Sequence, residues 1–130
     1  MSFTVIGNWN DLAAGHPKNY FSERYTFMDF RGDLLISPLS HWGYENMIIT
    51  LTHDISPGRY TEDLIMKSVR VDDWAWITSR CILYNCHIGH HAILAIGAVV
   101  ANMDVEPWTI VAGNPAKVVA RWSDSKWTRV

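Results

Sequence analysis

The sequence lacks a long apolar run, a dominant charge and a cysteine framework, and each absence narrows the class of protein. No apolar stretch approaches the roughly 20 residues that a membrane-spanning helix needs. The 130 residues carry a formal net charge of −2, so neither nucleic acid nor a membrane is expected as the main partner. Residues 1–8 have no basic segment followed by an apolar stretch and a cleavage site, and we expect a cytoplasmic protein.

Cysteine is scarce, with Cys81 and Cys86 as the only two. Neither has partners at the spacing of metal ligands, and neither has an evident activating base in the sequence. We therefore expect both to be small buried residues in a reducing compartment, with no role as a nucleophile or a metal ligand.

Between residues 69 and 119 an apolar residue recurs about every six positions. An amphipathic helix needs steps of three and four, and a plain strand needs alternation, so neither describes this pattern. A six-residue period is typical of short strands that turn corners around an axis, with one inward residue on each side. The predicted inward residues are Val71, Ile77, Ile82, Ile88, Leu94 and Val100, and the step from Ile77 to Ile82 is one residue short.

This pattern predicts a single all-β domain of about four to five coils. One coil has only a narrow apolar stripe, so stacked coils, covered ends and self-association are expected. Trp122 and Trp127 are expected to anchor the tail against the last coil. The predicted segments are an N-terminal cap (1–33), first coils (34–53), a protruding loop (54–67), repeat coils (69–119) and a tail (120–130).

Three blocks of the sequence share a pattern with a known family. The first, residues 41–54, has an aromatic-glycine pair and then a strand that ends in Thr52-His53-Asp54. The second comprises Trp76-Ile77 and residues 88–100, and the third, residues 105–117, ends in Gly113-Asn114-Pro115-Ala116-Lys117. In these blocks the chain resembles the hexapeptide-repeat acyltransferases, and within them sugar O-acetyltransferases of the maltose, galactoside and colanic acid type.

The resemblance implies properties that the six-residue period cannot supply. They are a left-handed parallel β-helix, a homotrimer with active sites between neighbouring subunits, and acetyl-CoA as the acyl donor. The implied reaction is direct acetyl transfer to a sugar or a related hydroxyl, without a metal.

The candidate catalytic residues lie where the coils are interrupted. His53 ends a β-rich run directly before the loop, and an imidazole there can take the proton of an attacking hydroxyl. Sequence context alone also allows a structural histidine at a strand edge, but the resemblance matches His53 to the family's catalytic histidine. It places the amide that stabilises the oxyanion at Ser79. Tyr44 and Asp54 are expected to contact the acceptor, and Asp54 either orients a histidine ring or caps the turn.

The candidate residues for acetyl-CoA surround the end of the last coil. The phosphates of this donor call for cations and backbone amides, and Lys117 and Arg121 follow the last coil. Trp76 either lies along the pantetheine arm or packs between subunits. The predicted donor-binding residues are Trp76, Gly113, Asn114, Pro115, Lys117 and Arg121.

Several features leave other functions open. The γ-class carbonic anhydrases, which share this architecture, bind zinc through histidines of neighbouring subunits. In this chain His87, His90 and His91 are close together near one corner, and His41 lies elsewhere in the sequence. We therefore expect no metal here. The chain also lacks the lysine that often accompanies CoA after Val100. A non-catalytic trimeric scaffold is therefore one alternative, and an N-acetyltransferase of an amino sugar or an antibiotic is another.

Overall fold

Large apolar side chains, one on each side of a coil, fill the interior of the molecule. The structure is a computed structural model that describes residues 5–6, 16, 19–58 and 63–130. The predicted inward residues Val71, Ile77, Ile88, Leu94 and Val100 are all buried, with at most 1% of their surface exposed. The six-residue period therefore identifies the core, as predicted.

One predicted inward residue is wrong, because Leu83 points inward in place of Ile82. Leu83 is fully buried, whereas Ile82 is 38% exposed. Successive side chains of a strand point to opposite faces, so this shift by one residue exchanges interior for surface. The step from Ile77 is then a full six residues, and the short step lies between Leu83 and Ile88. Cys81 takes the small buried position that alanines occupy before other inward residues.

The described part of the chain consists almost entirely of short strands. A single 3-10 turn, Ser22–Arg24, precedes the second strand. The strands are β1 (Val5–Ile6), β2 (Phe27–Asp29), β3 (Asp33–Ile36), β4 (His41–Trp42), β5 (Met47–Ile49), β6 (Leu51–His53), β7 (Leu64–Met66), β8 (Ser68–Val71), β9 (Trp76–Ile77), β10 (Ile82–Ile88), β11 (Ile93–Leu94), β12 (Val99–Val105), β13 (Thr109–Ala112), β14 (Lys117–Ser123) and β15 (Lys126–Arg129).

Parallel pairing stacks these strands into three faces around the core. The first face contains β2, β5 and the first parts of β10 and β12. The second face contains β3, β8 and the second parts of β10 and β12, and the third contains β4, β9, β11 and β13. This curled parallel arrangement is that expected of a β-helix. Its handedness and number of coils stay predictions.

Residues in the left-handed region turn the chain between faces. Between the first and second faces this residue is Asn85 (φ 47°) and, one coil later, Asn102 (φ 55°). Asparagine tolerates this conformation better than most residues, and the Asn85 Nδ2 donates to the Asn102 Oδ1 at 2.9 Å across 17 residues. The step of five residues recurs from Val100 to Val105, so the shortened corner is a regular feature of both coils.

One antiparallel hairpin interrupts the coils, and a three-stranded antiparallel arrangement ends them. β6 and β7 pair between the first and second faces, so the predicted loop 54–67 contains a strand. β14 pairs with β13 and β15, and the Trp122 ring lies 5.7 Å from Trp108 and 5.4 Å from Trp127, so Trp122 packs against Trp108 and Trp127 packs against Trp122. Much of the predicted cap 1–33 and residues 59–62 of the loop lie outside the described residues. No helix among the described residues is long and apolar enough to cross a bilayer.

The corrected register predicts which leucine is essential for stability. Leu83→Ala should lower the free energy of unfolding by about 2–5 kcal/mol, because it leaves a cavity in a narrow core. Leu35→Ala removes the same atoms from a side chain that is 63% exposed, and should change stability by about 0.5 kcal/mol or less. Urea unfolding followed by tryptophan fluorescence measures both. Equal losses for the two variants would contradict the assigned register.

Candidate active site

His53 lies on a hairpin that projects from the corner between the first and second faces. It pairs with Leu64 in the last register position of β6 and β7. The Asp54 N–H donates to the Asp63 carbonyl at 3.0 Å, which extends the hairpin one step beyond that pair. The His53 side chain is half-buried. A histidine is thus held on a hydrogen-bonded ladder, outside the stacked coils.

Asp54 caps the turn that follows His53. Its Oδ1 accepts a hydrogen bond from the Ser56 N–H at 2.9 Å. The hydrogen bond from the Ser56 backbone lowers the pKa of the Asp54 carboxyl from its ordinary value, so this group is ionised near neutral pH. This is the turn-capping role, one of the two that the sequence left open for Asp54.

Ser79 lies at a different corner, between the third and first faces. Its Oγ accepts from the Tyr44 N–H at 3.0 Å, and its carbonyl accepts from the Gly97 N–H at 2.9 Å. Within the described part of the chain, no hydrogen bond uses the Ser79 N–H. An amide at a turn with no internal partner has the chemistry required of an oxyanion donor. The same corner carries Tyr44, whose side chain is 54% exposed.

Gly43 allows the two turns at this corner to pack together. A Cβ at this position would collide with the Thr78 carbonyl and lie 2.6 Å from the Ser79 Oγ. The Gly43 N–H donates to the Ile77 carbonyl at 2.8 Å. Because Gly43 has no side chain, the turns at Tyr44 and Ser79 can approach each other closely.

The predicted catalytic groups flank the first face from opposite corners. His53 projects where the first face ends and the second begins, and Ser79 lies where the third face ends and the first begins. Within one chain, these two groups belong to different edges of the molecule. Outward residues of the face between them are apolar and partly exposed, with Met47 at 39% and Ile82 at 38%.

The predicted donor-binding residues lie along the third face and its end. Trp76 projects outward from β9 between His41 and Ile93 and is 49% exposed. Lys117 begins β14 opposite Ala112, and the Arg121 Nη1 donates to the Glu106 Oε2 at 3.0 Å. The turn between β13 and β14 is exposed at Gly113, Asn114 and Pro115.

Both thiols are buried in the core and protonated. Burial raises the pKa of Cys81, and burial raises that of Cys86 to about 12. The thiolate is the nucleophilic form of cysteine. Burial therefore disfavours the thiolate form of both residues.

His87, His90 and His91 contact protein partners near the corner between the second and third faces. The His87 Nε2 lies 2.7 Å from the Asp72 Oδ2, and the His90 and His91 Nδ1 atoms lie 3.0 Å apart. The His91 ring stacks on Trp108 at 4.1 Å. Among the residues that the structure describes, no group of three or more His, Cys, Asp or Glu side chains is arranged to hold a metal ion.

Sequence reasoning missed two features of the structure. One is a groove of about 690 Å³ between the second and third faces, lined by Leu35, Asp72 and Trp74 among others and by none of the predicted catalytic or donor-binding residues. The other is a buried contact between Asp29 and Thr50 at the base of the His53 hairpin. The Asp-x-Arg-Gly turn that begins at Asp29 is the signal that could have revealed this contact.

Comparison with known proteins finds relatives among acetyltransferases. No protein-family model matches the chain. Over 47 residues, which are 35% of this chain, it is 49% identical to a chloramphenicol acetyltransferase of Escherichia coli. That stretch is 22% of the relative's length, so the chain spans only a small part of the curated protein it matches.

Solved structures of three acyltransferases share the fold. A maltose O-acetyltransferase from Clostridium difficile has a TM-score of 0.69 at 21% identity, over 77% of this chain and 54% of its own. A hexapeptide-repeat acetyltransferase from Vibrio cholerae, complexed with acetyl coenzyme A, has a TM-score of 0.57 at 23% identity, over 77% of this chain and 58% of its own. A mutant of the Bacillus cereus N-acyltransferase AntD, bound to dTDP-4-amino-4,6-dideoxyglucose and coenzyme A, has a TM-score of 0.65 at 15% identity, over 76% of this chain and 58% of its own.

These likenesses confirm the resemblance that the three sequence blocks predict. The matched structures are less than 25% identical, so they establish the architecture and leave the reaction to be argued from the site. Parallel strands on three faces, a core with a six-residue period and the structural likeness all agree. The chain has the fold of the hexapeptide-repeat acetyltransferases, and the proteins described above that it matches in sequence and structure are named acetyltransferases or, for AntD, an N-acyltransferase.

Proposed function

We propose that this chain is an acetyl-CoA-dependent O-acetyltransferase that acts on a sugar or a related hydroxyl. The observation that carries the proposal is the pairing of an acetyltransferase fold with a histidine on a projecting hairpin. The maltose in the name of one structural relative and the sugar nucleotide bound to another support a small-molecule acceptor. The acetyl coenzyme A complex of the Vibrio cholerae protein supports the donor.

In the proposed reaction, the acceptor hydroxyl attacks the thioester carbonyl while His53 takes its proton. A positioned base of this kind contributes about 10²–10⁴ in rate. The Ser79 N–H donates to the oxyanion that develops on the carbonyl. When the carbon–sulfur bond breaks, the protonated His53 returns the proton to the leaving sulfur, so the products are the acetyl ester and free CoA thiol. The buried, protonated thiols support direct transfer without a cysteine intermediate.

The active site is proposed to form between two copies of the chain. His53 and Ser79 occupy opposite edges of the first face, so one chain alone does not hold both at one reaction centre. If the first faces of three copies meet around a three-fold axis, the His53 edge of one copy approaches the Ser79 edge of the next. The exposed apolar side chains of Met47 and Ile82 on this face support such packing.

The donor is proposed to lie along the third face toward the end of the last coil. Lys117 and Arg121 would hold its phosphates, and the exposed backbone at Gly113, Asn114 and Pro115 allows close approach. Trp76 would lie along the pantetheine arm or pack between subunits, and its 49% exposure supports both interpretations.

An amine acceptor is the second candidate. The Bacillus cereus N-acyltransferase, whose mutant is bound to an amino-sugar nucleotide, has a TM-score of 0.65 to this chain. The same base and oxyanion donor serve both acceptors, so the fold does not separate them. A screen of maltose, an amino-sugar nucleotide and chloramphenicol, with free thiol release as the readout, separates an alcohol from an amine by which acceptor turns over.

The first prediction concerns the base. His53→Ala should lower kcat by about 10²–10⁴, because the hydroxyl then loses its proton acceptor. His90→Ala, at an exposed position of another corner, should leave kcat unchanged. Acetyl transfer at the wild-type rate by a folded His53→Ala protein would remove His53 from the mechanism.

The second prediction concerns assembly. Ile82→Glu places a charge on the first face and should convert a trimer into monomers, with loss of transfer but retention of β circular dichroism. Ser68→Glu introduces the same charge at an exposed position of the second face and should remain trimeric. Sedimentation velocity distinguishes the species. A wild-type monomer, or a trimer unaffected by Ile82→Glu, would contradict this packing.

The third prediction concerns the donor. Acetyl-CoA at about 100 times its Kd should stabilise the folded protein by about 2.7 kcal/mol, measured as a rise in Tm. The Lys117→Ala/Arg121→Ala double variant should require more acetyl-CoA for the same rise. Glu106→Gln breaks the ion pair with Arg121 without removing a cation, and serves as the control. No rise in the wild-type protein would favour the scaffold alternative.

A further inference from the structure

The hairpin that carries His53 is fastened to the coils at Thr50, the residue directly before β6. Thr50 is fully buried. Its Oγ1 donates to the Asp29 carbonyl at 2.9 Å and accepts from the Gly32 N–H at 2.9 Å. Its carbonyl accepts from the N–H of Lys67, the residue directly after β7, at 2.7 Å. Thr50 therefore ties together both ends of the hairpin and the turn of the preceding coil.

Asp29 completes this anchor with a buried carboxylate. Its Oδ2 accepts from the Thr50 N–H at 3.2 Å and from the Arg31 Nη2 at 2.9 Å. Its Oδ1 accepts from the Arg31 Nε at 2.8 Å and from the Arg31 N–H at 3.1 Å. Burial opposes ionisation, but these hydrogen bonds outweigh it and hold the pKa of Asp29 below its usual range. An ionised carboxylate with charge-assisted partners is a stiff and specific connection.

The turn from Asp29 to Gly32 fits closely against the base of the hairpin. A Cβ at Gly32 would collide with the Thr50 carbonyl and lie 2.6 Å from the Lys67 carbonyl. The Asp33 N–H donates to that Lys67 carbonyl at 3.1 Å. The preceding coil thus contacts the residue before β6 and the residue after β7 at the same level, which restricts how the hairpin can tilt.

We propose that Asp29 and Thr50 are positioning residues that hold His53 in its reactive orientation. This inference rests on the proposed function of His53 as the base. His53 lies three residues beyond Thr50, a span of about 10 Å, so a small rotation at the base becomes a larger displacement of the imidazole. A displacement of about 1 Å in a catalytic group can cost about 10²-fold in rate.

The test compares two substitutions at Thr50. Thr50→Val keeps the shape but removes the Oγ1 hydrogen bonds, and should lower kcat about tenfold to a hundredfold. The KM for acetyl-CoA should stay within about twofold, because donor residues lie elsewhere. Thr50→Ser restores the hydroxyl and should recover most of kcat. An unchanged kcat in Thr50→Val, or no recovery in Thr50→Ser, would overturn the proposal.

Thr109→Val controls for the loss of a buried hydrogen bond as such. Thr109 is 2% exposed, and its Oγ1 donates to the Glu106 carbonyl at 2.7 Å at a turn away from the hairpin. This variant should be destabilised like Thr50→Val but should keep its kcat. A matching fall in kcat would show that lost stability, and not hairpin orientation, limits the rate.

A readout without turnover separates this proposal from the proposed function. In Thr50→Val, the NMR resonances of the His53 ring should shift and the amides of β6 and β7 should exchange faster, with neither change in Thr109→Val. If His53→Ala retains full transfer, the proposed base is wrong, and this readout alone decides whether Thr50 orients the hairpin. If His53→Ala is inactive while Thr50→Val has normal kcat and an unshifted ring, only the positioning role fails.

Discussion

The narrow interior of the coil is the constraint on which the rest of the structure depends. On several sides one large inward side chain fills the interior and is preceded two positions earlier by a small one. The pairs Ala75 and Ile77, Cys81 and Leu83, and Ala92 and Leu94 show this arrangement, and all six residues are fully buried. Protein interiors are close-packed. Replacing a small inward residue by a larger one, or moving a large residue to the neighbouring position, would therefore cause strain. The strand register is therefore dictated by the core.

The corners follow from the same constraint. A chain that must return to the axis after every short strand turns sharply, and non-glycine residues occupy the left-handed region at Trp74, Arg80 and His91. Such residues are uncommon in that region, and stacking of one coil on the next supplies the contacts that offset the cost. Asn85 and Asn102 go further, because their side chains also hydrogen-bond along the corner. The five-residue steps at Asn85 and Asn102 thus recur in two successive coils at the corner between the first and second faces.

Much of the fold was predictable from the sequence because the core has a period. The core residues from Val71 to Val100 follow from spacing, apart from the choice between Ile82 and Leu83. Both are large and apolar, so hydrophobicity cannot choose between them. The small residue Cys81, two positions before Leu83, is the signal that decides. Sequence was less informative about the anchor at Thr50, because it joins residues 21 positions apart through a turn with no periodic pattern.

Catalytic chemistry on this fold must depend on the places where the coils are interrupted. A regular coil presents short strands with both backbone edges hydrogen-bonded to neighbouring coils, and leaves few groups for a substrate. The hairpin supplies a histidine beyond the stacked strands, and the turn at Ser79 supplies an amide without a partner among the described residues. A hairpin is less constrained than a coil, so the proposed base, His53, needs a stiff attachment. The buried carboxylate of Asp29 and the hydroxyl of Thr50 provide that attachment where β6 leaves the first face. The geometry that separates His53 from Ser79 within one chain is also what would let two neighbouring chains bring them together.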